Sequence, residues 1–234
     1  MSYKKRPDGR GFEDIREMEA KIGVVKNADG SAMFRFGDTI AIAAVYGPKP
    51  LHPQHLQNPK KGILRVNYDM LSFSVSERKR PGPSRRSQEV SKVTEWALSS
   101  VVNLEDYPNT VVDVHISILQ ANASTRCAGI NAASMALAHA GVSMKELVSS
   151  VSIGKIDDKI VVDVIKEEED YEGGEGATDI PLAFTRSGEI TLFQLDGNIK
   201  PEDLKEVVKK AKEACKKIYE VQKKALKAVG KEEE

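Results

Sequence analysis

Only two cysteines, Cys127 and Cys215, occur in 234 residues. That is too few for a disulfide framework or a cysteine-based zinc site, and it fits a reducing compartment. Histidine is also sparse, at four residues. His52 and His55 share one loop but have no third ligand nearby, so they read as solvated rather than metal-bound. Net charge is absent as well. Thirty-five Lys and Arg balance 35 Asp and Glu, so no global basic field draws the chain to nucleic acid. No apolar run is long enough to span a bilayer. The opening MSYKKRPDGRG has no apolar signal core, and the expectation is a cytoplasmic protein without a membrane partner. The phosphate loop GxxxxGK[ST] is missing, no Ser–His or Cys–His pairing stands out, and no 20–50-residue repeat is visible.

What is present is local. Arg78, Lys79, Arg80, Arg85 and Arg86 crowd one segment, and Glu167, Glu168, Glu169, Asp170, Glu172 and Glu175 crowd another. The run VVDVHISIL (Val111–Leu119) reads as a buried strand. Ile130, Ala133, Leu137 and Ala140 then fall at helical spacing. Ser124, Thr125, Arg126 and Gly129 lie between, at a strand–turn–helix junction. Free N–H groups and the positive end of the macrodipole favour an anion there. Two hydroxyls and a guanidinium suit a phosphate. The alternative is a core helix with an ordinary cap and a chance arginine.

The chain in order begins with a polar arm, 1–16, whose Arg6, Arg10 and Arg16 either reach a partner or tie the arm down. KIGVVKNADGSAMFRFG reads as two strands joined around Asp29-Gly30. A turn at Gly37-Asp38 leads to a third strand over Thr39–Gly47, so the opening is antiparallel and not doubly wound. The proline-rich loop 48–62 ends in Lys60 and Lys61, which either touch a phosphate backbone or are solvated. Ile63–Val75 returns to strand character. Pro81 and Pro83 bar a helix before one that starts near Ser87. Arg85 and Arg86 thus sit on a stiffened turn, where the planar guanidinium fork suits a phosphodiester or an acidic neighbouring surface. Hairpins are expected around Asp157-Asp158 and Ser187-Gly188, and a long helix from Pro201. Val112-Asp113-Val114 and Val162-Asp163-Val164 echo each other as two strand ends leading into site loops. Asp179, between a glycine-rich loop and IPLAF, is a positioned carboxylate that can hold a hard cation such as Mg²⁺ or act as a general acid or base. Arginines, an anion cradle and a carboxylate together suit phosphoryl transfer on a polyanion.

RPDGRGFEDIR, FGDTIAIAAVYGP, SERKRPGPSRRSQEVSKV, STRCAGINAASMALA, ATDIPLAF and ITLFQLDG, in that order, resemble the phosphorolytic ribonuclease PH family, nearest to the catalytic subunits of archaeal exosomes. The resemblance covers nearly the whole chain, from Arg6 to Ala228. It implies an α+β fold of two related β-α units with mixed sheets and flanking helices. The reading is one domain over residues 1–234, with an N-terminal arm at 1–16 and a charged tail at 229–234. It implies phosphate-dependent 3′→5′ shortening of single-stranded RNA, with inorganic phosphate attacking the terminal linkage and nucleoside diphosphates released. The implied partners are an inactive paralogue, alternating in a ring of three heterodimers, and RNA-binding cap subunits. Arg85 and Arg86 match the family's RNA-binding pair, to which Lys60 and Lys61 are added as backbone contacts. Ser124, Thr125 and Arg126 match its phosphate turn, with Ala123 and Ser124 where many members have glycines. Asp179 matches its catalytic aspartate. Gly173 stands six positions earlier, where the family has a second acidic residue. Asp170 is the expected replacement in the lengthened loop, as catalytic and metal residue beside Asp179, with Glu172 and Glu175 as the other candidates. Related alternatives are a stand-alone homohexamer trimming tRNA and a non-catalytic ring member that threads RNA. An RNA-binding module of ribosomal type would have no use for the acidic loop.

Overall fold

The computed structural model describes residues 3–232 apart from Glu172 and Glu175. Two sheets enclose one helix. The first sheet has the strand order β1-β2-β3-β5-β4. Its strands are β1 (Met18–Ile22), β2 (Gly30–Phe36), β3 (Thr39–Pro50), β4 (Ile63–Met70) and β5 (Thr110–Gln120). Neighbours are antiparallel except β4 and β5, which run parallel. The second sheet is antiparallel throughout, in the order β7-β6-β8-β9. It consists of β6 (Val148–Ile156), β7 (Lys159–Val162), β8 (Ala177–Thr185) and β9 (Ile190–Phe193). One of the two sheets is therefore mixed.

Helix α1 (Arg85–Ser99) covers β4, and α2 (Thr125–His139) lies between the sheets. Every residue from Cys127 to Leu137 is buried, which explains the run of alanines. A helix with sheets on both sides has no polar face, and small side chains let backbones approach closely. Asn131, fully buried on α2, accepts from Ser150 N–H at 2.7 Å and donates to its carbonyl at 2.9 Å, tying the helix to β6. The short α3 (Lys166–Glu169) precedes β8, and α4 (Pro201–Glu232) packs on β6 and β1 through Val207, Ala211, Cys215 and Ile218. The expected tail at 229–234 is helical as far as Glu232; the last two residues lie outside the described ones.

Three local expectations change. Asp29-Gly30 is not a tight turn: a seven-residue loop, 23–29, joins β1 to β2. Gly30 is there for packing, since a Cβ on it would lie 2.4 Å from the Ala136 carbonyl of α2. Helix α1 begins at Arg85 rather than Ser87, because Ser84 caps it. Ser84 Oγ accepts from Ser87 N–H at 3.1 Å, and Ser87 Oγ accepts from Ser84 N–H at 2.8 Å. The two Val-Asp-Val runs are also unlike. Asp113 faces Arg65 and Lys49 near the start of β5, whereas buried Asp163, at φ +56°, directly follows β7 at the end of the β6–β7 hairpin.

The arm is tied down. Arg6, 2% exposed, bonds both oxygens of Glu168 on α3, at 2.8 and 2.9 Å, and the Val162 and Asp163 carbonyls at 2.8 Å. Arg16 grips Asp163 through Nε at 2.8 Å and Nη2 at 2.6 Å. Among the described residues no helix is long and apolar enough to cross a membrane.

Candidate active site

Three chain segments converge at the edge between the sheets. The first is the start of α1. Arg85 and Arg86 occupy its first turn, both exposed, with no acidic residue in that turn to offset the positive end of the helix. Cations at a helix N-terminus repel its dipole, and an anion there would relieve that repulsion.

The second segment is the turn before α2. Ala123 and Ser124 both adopt left-handed backbone, each at φ +52°. The Ser124 hydroxyl does not cap the helix; it turns away to Asp163 Oδ1 and the Val164 carbonyl, each at 3.1 Å. The first N–H groups of α2 therefore have no side-chain cap. Thr125 is buried. Arg126 reaches outward, bonding Gln194 Oε1 through Nη1, with Nη2 4.0 Å from Glu89. Its buried Nε has no hydrogen-bond partner among the described residues.

The third segment is β8, which carries Asp179. Ser152 of β6 donates to its carboxylate, and Asp179 and Asp196 exchange backbone hydrogen bonds at 3.0 and 2.9 Å. Gly197 follows at φ +116°, with its Cα so close to Thr178 that a Cβ would lie 2.8 Å from the Thr178 hydroxyl. Only glycine lets Asp196 return to the strand in this way. Burial raises the Asp179 pKa; Ser152 and Arg126 oppose the rise, while the Glu169 and Asp196 carboxylates add to it.

An open cleft of about 560 Å³ joins these parts, lined by Arg85, Arg86, Arg126, Glu169, Asp179 and Asp196 among others. A second cavity adjoins it, sharing Arg86 and Glu169 and reaching Thr125 and Asp170. Of the residues singled out in the sequence, Arg85, Arg86, Arg126 and Asp179 thus meet in one cleft. Ser124 and Thr125 support it from behind.

Asp170 does not line the cleft of Asp179. It ends α3, and its carboxylate accepts from Lys166 Nζ at 2.6 Å, mostly exposed. Glu169 takes the inward position because Arg6 and Ile165 N–H hold Glu168 in the core and fix the rotation of α3. Glu172 and Glu175 lie outside the described residues. Lys60 and Lys61 are exposed just before β4 and do not line the cleft. Sequence reasoning passed over Glu89, Glu169, Ser152, Gln194 and Asp196. Glu89 alone carried a signal, one turn after Arg85 and Arg86 on the same helix.

Among the described residues no three His, Cys, Asp or Glu side chains converge tightly enough to hold a metal by themselves. Asp179, Glu169 and Asp196 do supply hard oxygen donors on one cleft. Mg²⁺ commonly takes one or two carboxylates and completes its shell with substrate phosphate and water, so this donor set fits it. If Glu169 is the partner of Asp179, Glu169→Gln should weaken Mg²⁺ binding about tenfold or more, while Asp170→Asn stays near the parent. A calorimetric Mg²⁺ titration decides, and the reverse pattern returns the role to Asp170.

Comparison with known proteins identifies the family. Residues 14–143 match the model of the 3′ exoribonuclease family (RNase PH) domain 1, and residues 146–214 match domain 2. The chain is 48% identical over 223 residues to the exosome complex component Rrp41 of Methanopyrus kandleri, covering 95% of this chain and 92% of that protein. It is 50% identical over 224 residues to Rrp41 of Thermococcus gammatolerans, covering 95% and 88%. The fold superposes on rice Rrp46 with a TM-score of 0.83 at 26% identity, over 94% of this chain and all of that one. A chain of the Archaeoglobus fulgidus exosome, solved with RNA bound to the active site, matches with a TM-score of 0.78 at 23% identity, over 92% of each chain. Two α+β units carrying these matches in sequence and shape place the chain in the 3′ exoribonuclease family of RNase PH type.

Proposed function

We propose that this chain is the catalytic subunit of an exosome ring and shortens single-stranded RNA from its 3′ end by phosphorolysis. One observation carries the reading: Arg126, Asp179, Arg85 and Arg86 line one cleft, and the uncapped start of α2 borders the adjoining cavity through Ala123 and Thr125. That is room for two phosphates and one buried carboxylate. Arg126 and the first N–H groups of α2 hold inorganic phosphate. Arg85 and Arg86 hold the RNA backbone so that its terminal phosphorus faces that phosphate. A phosphate oxygen attacks this phosphorus, and the bond to the 3′ oxygen of the preceding nucleotide breaks. A nucleoside diphosphate departs, and the 3′ oxygen takes up a proton. Asp179, with Glu169 and Asp196 at hand, would hold Mg²⁺, which supplies charge neutralisation at the reacting phosphate when bound.

The cleft is open, with Arg85 and Arg86 exposed at one helix end, which supports a ring in which a neighbouring subunit closes it around a strand. The relatives are named exosome complex components; the neighbour in this reading is an inactive RNase-PH-like paralogue, in three alternating heterodimers, with RNA-binding caps above.

The test is product identity. The chain, with candidate ring partners, should release nucleoside diphosphates from the RNA 3′ end when phosphate is supplied and do nothing without it. Nucleoside monophosphates appearing in phosphate-free buffer would mean hydrolysis and end this reading.

A further inference from the structure

Ala123 and Ser124 are consecutive non-glycine residues in left-handed backbone, directly before α2. L-residues resist that conformation, and it persists only where the surroundings over-determine it. The surroundings here are specific. Thr39 Oγ1 accepts from Asn122 N–H at 3.0 Å and faces the carbonyls of Asn122 at 3.0 Å and Ala123 at 2.9 Å. Arg16 Nη1 donates to the same Asn122 carbonyl at 2.7 Å. The other side of Arg16 clamps Asp163, whose Oδ1 also accepts from Ser124 Oγ. Thr39 and Asp163 are fully buried and Arg16 is nearly so. Asn122 in turn accepts, through Oδ1, from Lys166 N–H at the start of α3, the helix that carries Glu169.

We infer that Arg16 and Thr39 are positioning residues for phosphate: they hold the strained 122–124 turn and so aim the first N–H groups of α2. Neither lines the cleft and neither touches a reacting atom. The inference rests on the phosphorolytic reading above. It explains why the N-terminal arm is bound so tightly, since the arm delivers Arg16. It also explains how this chain manages with Ala123 and Ser124 in a turn where glycine would meet no strain. Arg85 and Arg86 sit on α1, fixed by the Ser84–Ser87 cap and outside this network. Loosening the turn should therefore affect phosphate and spare RNA.

The test uses Thr39→Val, which keeps the shape and deletes the hydroxyl, and Arg16→Lys, which keeps the charge and deletes the fork. Both are assayed in the assembled ring with RNA and inorganic phosphate, after thermal melting shows them folded. Each variant should raise the KM for phosphate about five- to tenfold, the scale of a lost hydrogen bond. The KM for RNA and the kcat at saturating phosphate should stay within about twofold. Thr39→Ser should behave as the parent. Adding Ala123→Gly to Thr39→Val should bring the phosphate KM part of the way back, because glycine takes positive φ freely. An unchanged phosphate KM in the folded variants overturns the inference. So does a defect spread equally over both KM values and kcat, or one that Ala123→Gly leaves as large as before. If instead the parent ring shortens RNA without phosphate, the functional reading itself has failed, and the parent alone reveals it.

Discussion

Asp179→Asn should reduce RNA shortening at least a hundredfold, about what removal of a positioned acid, base or metal ligand costs, and should leave RNA binding intact or tighter. The side chain keeps its shape, so the fold is not at risk; the charge next to the substrate phosphates is what disappears. The pH dependence carries further information. Burial raises the Asp179 pKa above its ordinary value in the metal-free protein, a bound Mg²⁺ draws it back down, and a protonated carboxyl neither holds Mg²⁺ nor accepts a proton. Activity should therefore fall towards acid pH, at a pH that drops as Mg²⁺ is raised, and the remaining activity of Asp179→Asn should lack that limb. The stability sign is opposite. A carboxyl whose folded pKa lies above its unfolded value makes the native state bind more protons between the two, so stability drops as pH rises through that window. At neutral pH the asparagine variant should thus melt at the same temperature as the parent or higher. Paired melting curves and pH–rate profiles decide. A variant that melts earlier but still cleaves would make Asp179 a structural residue.

The sequence shows the scaffold of this site better than its fine aim. The β5–turn–α2 unit was readable because its strand is β-branched and its helix periodic. The hairpins at 157–158 and 187–188 were readable from turn chemistry. The cleft was readable where one residue type on one element sufficed: Arg126 at a helix start, Asp179 at a strand entrance. What stayed hidden depends on contacts between distant segments. Whether Glu169 or Asp170 faces inward is set by the rotation of a four-residue helix, and that rotation is fixed by Arg6, 162 residues away from Glu168. Too short for periodicity, that helix reads as an acidic loop. Asp196 reads as the residue closing a turn, because only its backbone pairing with Asp179 brings it to the site. The capping box at Ser84–Ser87 uses serine where glutamate or glutamine is the usual third residue. That places the start of α1 two residues late and leaves Arg85 and Arg86 outside the helix whose end they share.

Arg126→Ala should be nearly as damaging as the loss of Asp179, but in a different constant. In the structure its guanidinium rests on Gln194 and near Glu89, while Nε is buried with no partner among the described residues. A buried, unpaired N–H is costly, and a phosphate oxygen arriving at the start of α2 can pair it. Charge-assisted hydrogen bonds are worth about 1.5–3 kcal/mol each. Two of them lost from a forked contact amount to roughly 3–6 kcal/mol, or at least a hundredfold in kcat/KM for phosphate. Arg126→Lys should recover only part of this, because an ammonium supplies the charge without the fork. RNA affinity, measured without phosphate, should change little in either variant, since Arg85 and Arg86 remain in place. Phosphate titrations of the parent, Arg126→Lys and Arg126→Ala rings separate the outcomes. Were Arg126→Ala to keep its phosphate KM and lose RNA affinity instead, Arg126 would belong to the RNA path, and the phosphate would have to sit on the α1 end of the cleft, at Arg85 and Arg86.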